Sequence, residues 1–191
     1  TLFDFGNQVK IIPYNFVFAS NIGFRKDVYF ECGGFGPDGF GGDLVLYNGT
    51  GETLFVKNIF NAGYDIMYHP GMSARHYVSS YRFKNKYFES RGYYYGVGQS
   101  FRDLRENGIQ SQETELMTSK IMNRIRYIRD VYRFNRMIAT RNLAIYKGYL
   151  DHRRAVMESP LMQEYVMKEN WLNYDFSKLT PLKKRSPSLW E

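Results

Sequence analysis

Two residues of this chain have the types and spacing for shared acid–base or ligand chemistry. Glu52 heads the run Gly51-Glu52-Thr53, behind a glycine-rich stretch, and His76 follows twenty-four positions later. Between them the sequence reads as a helical segment, a Gly63-Tyr64 turn and a short apolar strand. That order can bring a carboxylate and an imidazole from two elements to one rim of a sheet, the pairing a metal-assisted transfer reaction needs. Each residue also has a plainer reading. A first-turn glutamate favours the helix dipole and bonds free backbone amides, and an isolated histidine is often a hydrogen-bonded loop residue. His69, next to Pro70, reads as structural.

The elements that must position this pair follow from the apolar pattern. Residues 8–20 predict two short strands around Pro13, rich in Val, Ile and Phe. Arg25 to Cys32 predicts a short helix stopped by Gly33 and Gly34. Residues 33–51 hold eight glycines and one proline, which predicts a mobile loop over a site. The stretch matches neither the phosphate-loop nor the dinucleotide glycine motif. Leu54, Phe55, Ile59 and Phe60 recur at helical spacing up to Gly63. Asp65–Tyr68 predicts a strand and Ser73–Val78 an extended piece. Tyr81–Leu104 predicts a helix on which Phe83, Tyr87, Phe88 and Tyr94 share a face. Residues 114–150 predict a long helical region, two helices meeting near Thr140, and Leu161–Trp171 a short last helix.

The 191 residues suffice for one domain with an appendage, and 17 Tyr with 15 Phe make much of the core aromatic. The single Cys32 excludes an intrachain disulfide and leans toward a cytoplasmic setting. No apolar run is long enough to span a bilayer. The abrupt start reads as the downstream piece of a longer protein. The net charge of +7 is concentrated: residues 113–154 carry ten Lys or Arg against four acids. On the helix expected there, Ile121, Ile125, Ile128 and Tyr132 share one face and Arg126, Arg129, Arg133 and Arg136 the adjacent one. The arginine stripe suits a solvated face and a peripheral site on an anionic membrane equally well. Nucleic acid is the weaker partner, because no recognised binding module occurs.

Asn15 to Asp103 resembles the second half of the catalytic domain of family-two glycosyltransferases of the GT-A type. The resemblance rests on Asn21-Ile22-Gly23-Phe24-Arg25-Lys26, Gly33-Gly34-Phe35, Gly51-Glu52-Thr53, Asn61-Ala62-Gly63-Tyr64, Tyr68-His69-Pro70 and His76. The intervals of eleven residues from Glu52 to Gly63 and twenty-four to His76 agree with the family's pattern. One departure stands out: Gly51 occupies the first of two usual acidic positions, and no D-x-D motif occurs in the chain.

The resemblance implies an α/β fold, a partial Rossmann-like GT-A sheet followed by a mostly α-helical C-terminal region. It places the acceptor side of the catalytic domain in residues 1–108, a basic helical extension in 109–172 and a loosely ordered tail in 173–191. It implies inverting transfer from a nucleotide-diphosphate sugar to a saccharide or lipid-linked acceptor, in the synthesis of cell-surface or extracellular polysaccharide. Glu52 is then the catalytic base and His76 a ligand of Mg or Mn, a metal held mainly by an upstream half. Asn21, Arg25, Gly51 and Thr53 are the implied substrate-binding residues; Arg82 and Arg91, just past His76, suit phosphate partners and ordinary surface arginines equally. The expected location is cytoplasmic or peripheral on the inner membrane face.

Overall fold

The computed structural model describes residues 4–109 and 119–182, and the side chains of 119–124 are not among those described. The expected start of the long helical region at 114–118, the side chain of Ile121 and the basic tail Lys183-Lys184-Arg185 therefore lie outside the described residues. The chain divides into two compact units, each assembled from separated segments.

The first unit comprises residues 1–37, 50–78 and 169–176. Its strands β1 (Lys10–Ile11) and β2 (Met67–Tyr68) form a two-stranded antiparallel ribbon, with Lys10 opposite Tyr68 and Ile11 opposite Met67. The helix α1 spans Lys26–Glu31 and α2 spans Gly51–Asn61. Gly33 and Gly34 end α1 with φ of 79° and 72°, a conformation that costs side-chain-bearing residues energy. Gly63 ends α2 with φ 87°: its amide donates to the Phe60 carbonyl and the Tyr64 amide to the Ile59 carbonyl, the paired bonds of a Schellman cap. Val28, Cys32, Phe55 and Ile59 form the core between the two helices, with Tyr29, Phe35 and Tyr64 packed against it. Its centre is aromatic, with the Phe35 and Phe55 rings 4.7 Å apart and Phe24 meeting Phe55 edge-on at 5.1 Å. Burial among these rings pushes the Cys32 thiol up from its ordinary pKa.

The second unit comprises residues 38–49, 79–168 and 177–191. Its helices are α3 (Asn85–Asn107), α4 (Ser119–Arg133), α5 (Arg136–Glu158) and α6 (Pro160–Met167). The packing of α3 on α5 explains the glycines within these two helices. A Cβ at Gly96 would overlap the Ile145 carbonyl, one at Gly148 the Tyr93 carbonyl, and one at Gly92 would lie 2.7 Å from the Arg141 oxygen. The two backbones touch where side chains are missing. Beside this seam Val97, Phe101, Leu104, Ala139, Leu143 and Val156 are buried. Asn135 starts α5, its Oδ1 accepting from the Ile138 amide at 2.9 Å. Ser159 starts α6 in the same way, with Pro160 at the first helical position.

Several expectations are corrected. The α/β fold is overturned: the described residues are mostly helical, and their two strands are two residues long. Pro13 supplies no amide to a ladder, and the Val- and Phe-rich segment beyond it turns into short 3₁₀ helices at Tyr14–Phe16 and Ala19–Asn21. A ribbon this short has no face on which a Rossmann-like layer can form. The helices near the arginines break at Phe134–Asn135 rather than Thr140, because Asn135 is the better cap. The buried face of α3 is built on its glycines with Val97, Phe101 and Leu104, whereas Phe83 is exposed and precedes the helix.

The glycine-rich stretch is also not a free loop. Gly42–Tyr47 is a 3₁₀ helix whose Val45, Leu46 and Tyr47 are buried in the second unit. Asn48 closes it by accepting from the Phe40 amide and donating to the Phe40 and Val45 carbonyls at 2.7–2.9 Å. Tyr47 is held from both ends, since its hydroxyl donates to the Thr180 carbonyl and its own carbonyl accepts from the Tyr165 hydroxyl.

Candidate functional site

Glu52 occupies the first turn of α2, after Gly51 and before Thr53. Gly51 is buried, and its carbonyl accepts from the Gly36 amide at 3.4 Å. Glu52 and Thr53 are half-buried, so the carboxylate is neither sealed from solvent nor fully hydrated. Its Oε2 accepts from the Ala19 amide at 3.3 Å. No cation pairs with Glu52 among the described residues, and a contact this long holds the carboxylate only loosely. Such a group keeps acceptor capacity for a substrate hydroxyl.

The 3₁₀ turn Ala19–Asn21 also reaches the segment that leads to His76. The Asn21 Nδ2 donates to the Met72 carbonyl at 2.8 Å. One turn is thus bonded to the head of α2 on one side and to the backbone four residues before His76 on the other. His76 is exposed, in an extended stretch without regular secondary structure. The Nδ1 of His69 accepts from the Gly71 amide at 3.1 Å.

Arg25 lies in the same unit and caps α1, but its guanidinium is already engaged. Nε and Nη2 donate to the two Asp27 oxygens at 3.2 and 2.9 Å, and the group lies over the Tyr64 ring at 5.8 Å. Tyr64 in turn donates to Glu31 at 2.7 Å, a bond that raises the phenol pKa because ionisation would break it. Asn21, Arg25, Gly51, Glu52, Thr53 and His76 therefore share the first unit. Arg82 and Arg91 belong to the second: Arg82 lies over the Tyr87 ring at 5.8 Å, and Arg91 is exposed on α3.

The second unit has polar features that the sequence did not disclose. A cleft of about 430 Å³ opens among α3, α4 and α5, lined by Asp103, Arg126, Asp130, Asn142, Tyr146 and Tyr149 among others. Asp130 is buried beside it. One oxygen accepts from Arg129 at 2.9 Å and the other from Asn142 at 3.0 Å, and bonds from Asn142 first and Arg129 second hold its carboxyl below the usual range. Between α3 and α5, Tyr93 donates to Asp151 at 2.8 Å; burial, reinforced by that carboxylate, pushes its pKa up. His152 is fully buried, bonded through Nδ1 to Ser100 Oγ at 2.9 Å, and burial with the nearby Arg153 charge lowers its pKa to about 3. These groups form a polar seam within a helix pair. Periodicity shows which residues share a helix face, and it does not show which polar residues a neighbouring helix covers.

A divalent metal was implied by the resemblance. Among the described residues no three His, Cys, Asp or Glu side chains converge. One exposed histidine is not a metal site, so the residues present do not fit the metal by themselves. No helix among the described residues is long and apolar enough to cross a membrane. Comparison with protein families, curated proteins and solved structures finds no match to this chain.

Proposed function

We propose that this chain carries the acceptor side of an inverting glycosyltransferase, acting in the synthesis of a cell-surface or extracellular polysaccharide. The observation behind the reading is the placement of Glu52. It is a half-buried, loosely held carboxylate at a helix head, inside a motif string whose spacing agrees with that enzyme family. The turn Ala19–Asn21, which bonds both the head of α2 and the segment before His76, gives these distant parts of the sequence a common anchor.

In this reading Glu52 takes the proton of the acceptor hydroxyl. The freed oxygen attacks the anomeric carbon of a nucleotide-diphosphate sugar from the face opposite the leaving group. The new C–O bond forms as the bond to the diphosphate breaks, and configuration inverts. Asn21, Gly51 and Thr53 border the acceptor and His76 is the candidate diphosphate contact. No step is derived through a metal, since these residues do not assemble its site. In this reading nucleotide binding requires a D-x-D-bearing segment that the 191 residues do not contain, and these residues alone are expected to transfer little or no sugar.

The parent polypeptide, mixed with a panel of nucleotide-diphosphate sugars, Mn²⁺ and saccharide acceptors, should consume at least one donor. A polypeptide that binds donors yet neither transfers nor hydrolyses any of them would instead be an inactive scaffold. Gly51 in the place of the first acid is the feature that would favour that result.

A further inference from the structure

Helix α4 is turned opposite to the usual pattern. Ile125, Ile128 and Tyr132, which share one helix face, are 54, 55 and 88% exposed. The side chain facing inward is Asp130, 4% exposed and held by Arg129 and Asn142. The bond from Asn142 on α5 holds Asp130 inward, and with Asp130 on that side the apolar row faces solvent. Val131 on α4, Phe134 just beyond its end and Met137 in the first turn of α5 are further exposed apolar residues.

Charge is arranged along one edge of this row. At about 100° per residue, Arg126, Arg129 and Arg133 fall within roughly 60° of one another and about 100° from the centre of the apolar row. All three are exposed. Arg126 lies over the Tyr146 ring at 5.3 Å and Arg133 over the Phe134 ring at 5.4 Å, so their aliphatic stems run beside apolar surface. From Leu116 to Arg136 the sequence contains one acid, Asp130, and it is buried. A solvated face does not require the apolar row, and an ordinary protein partner does not require so one-sided a charge.

We propose that α4 lies in the interface of an anionic membrane. Ile125, Ile128 and Tyr132 enter the boundary between headgroups and acyl chains, and Arg126, Arg129 and Arg133 meet lipid phosphates. The inference stands apart from the transferase reading and uses none of its residues. If both hold, the membrane brings a lipid-linked acceptor to the enzyme.

The test is flotation of the 191-residue chain with phosphatidylcholine vesicles, with and without about one-third phosphatidylglycerol. The chain should float with the anionic vesicles, and added salt should weaken that binding. The pair Ile125→Ser with Ile128→Ser should reduce it by roughly tenfold, and so should Arg126→Gln with Arg133→Gln. A Tyr132→Trp chain should blue-shift its emission on adding anionic vesicles, which reports insertion without removing an apolar group. Binding that the serine pair leaves unchanged, with no spectral shift, would overturn the proposal in favour of purely electrostatic adsorption. So would absence of vesicle binding, or a lipid-free dimer that the serine pair dissociates, which would make a second copy the occupant of this face. Absence of any transfer activity in the unchanged parent polypeptide, with vesicle binding intact, would count against the enzyme reading alone.

Discussion

The two units solve the problem of a small core in different ways. The first relies on large side chains: Phe24, Tyr29, Phe35 and Phe55 fill the space around two short helices, and glycines only end those helices. The second relies on absent side chains, because Gly92, Gly96 and Gly148 let α3 and α5 approach until backbone meets backbone. In the first unit stability is sensitive to removing volume, and in the second to adding it.

Truncation should therefore act most strongly in the first unit. Phe55→Ala removes a fully buried ring and should destabilise that unit by about 4 kcal/mol, seen as faster hydrogen exchange in the amides of α1 and α2. The opposite change probes the second unit. Gly96→Ala gains about 1 kcal/mol of helix propensity but sets a methyl against the Ile145 carbonyl, which cannot move aside cheaply. A net loss of about 2 kcal/mol is expected from denaturant unfolding. A stabilised Gly96→Ala chain would show that the helices are not in backbone contact.

The polar seam of the second unit makes a pH prediction. His152 is neutral when folded, with a pKa near 3, against 6.5 for the free side chain. Below pH 6.5 the unfolded chain takes up a proton that the folded chain refuses, so stability is full above about pH 7 and declines as pH falls toward 3. The slope should reach up to ~1.4 kcal/mol per pH unit. His152→Asn should flatten it, measured as the pH dependence of the urea midpoint. The smallest effect expected is at Asp130. Its lowered pKa adds stability above the ordinary carboxylate pKa of 3.8 that is lost as pH falls through the folded value. Asp130→Asn should cost about 1 kcal/mol at neutral pH, because Arg129 is largely exposed and Asn142 can bond an amide.

How far the sequence could be read also differs between the units. In the first, local signals were enough to locate α1, α2 and their glycine stops, because a cap is a property of a few adjacent residues. The sheet was misjudged because Val and Phe around Pro13 express a β preference that only pairing partners can satisfy, and the described residues supply a ribbon of two. In the second unit the helices were legible but their faces were not. Glycines of α3 form its contact surface with α5, and the face that carries Ile125 and Ile128 is exposed, neither of which the spacing shows. Asp130 is turned inward by an asparagine on another helix, a contact that helix periodicity does not show. Of the candidate site, Glu52 at a helix head was legible. The turn Ala19–Asn21 that anchors its surroundings was not, since it depends on bonds to Glu52 and Met72 across 33 and 51 residues.

The measurement that tests the functional account most directly is the rate of sugar transfer by the parent polypeptide carrying Glu52→Gln, with far-ultraviolet circular dichroism as the check on folding. An amide of the same shape keeps the Ala19 contact but cannot take a proton. The account predicts a fall of at least about a hundredfold in turnover with donor binding retained. A Glu52→Gln enzyme that transfers sugar within about twofold of the unchanged protein would contradict it.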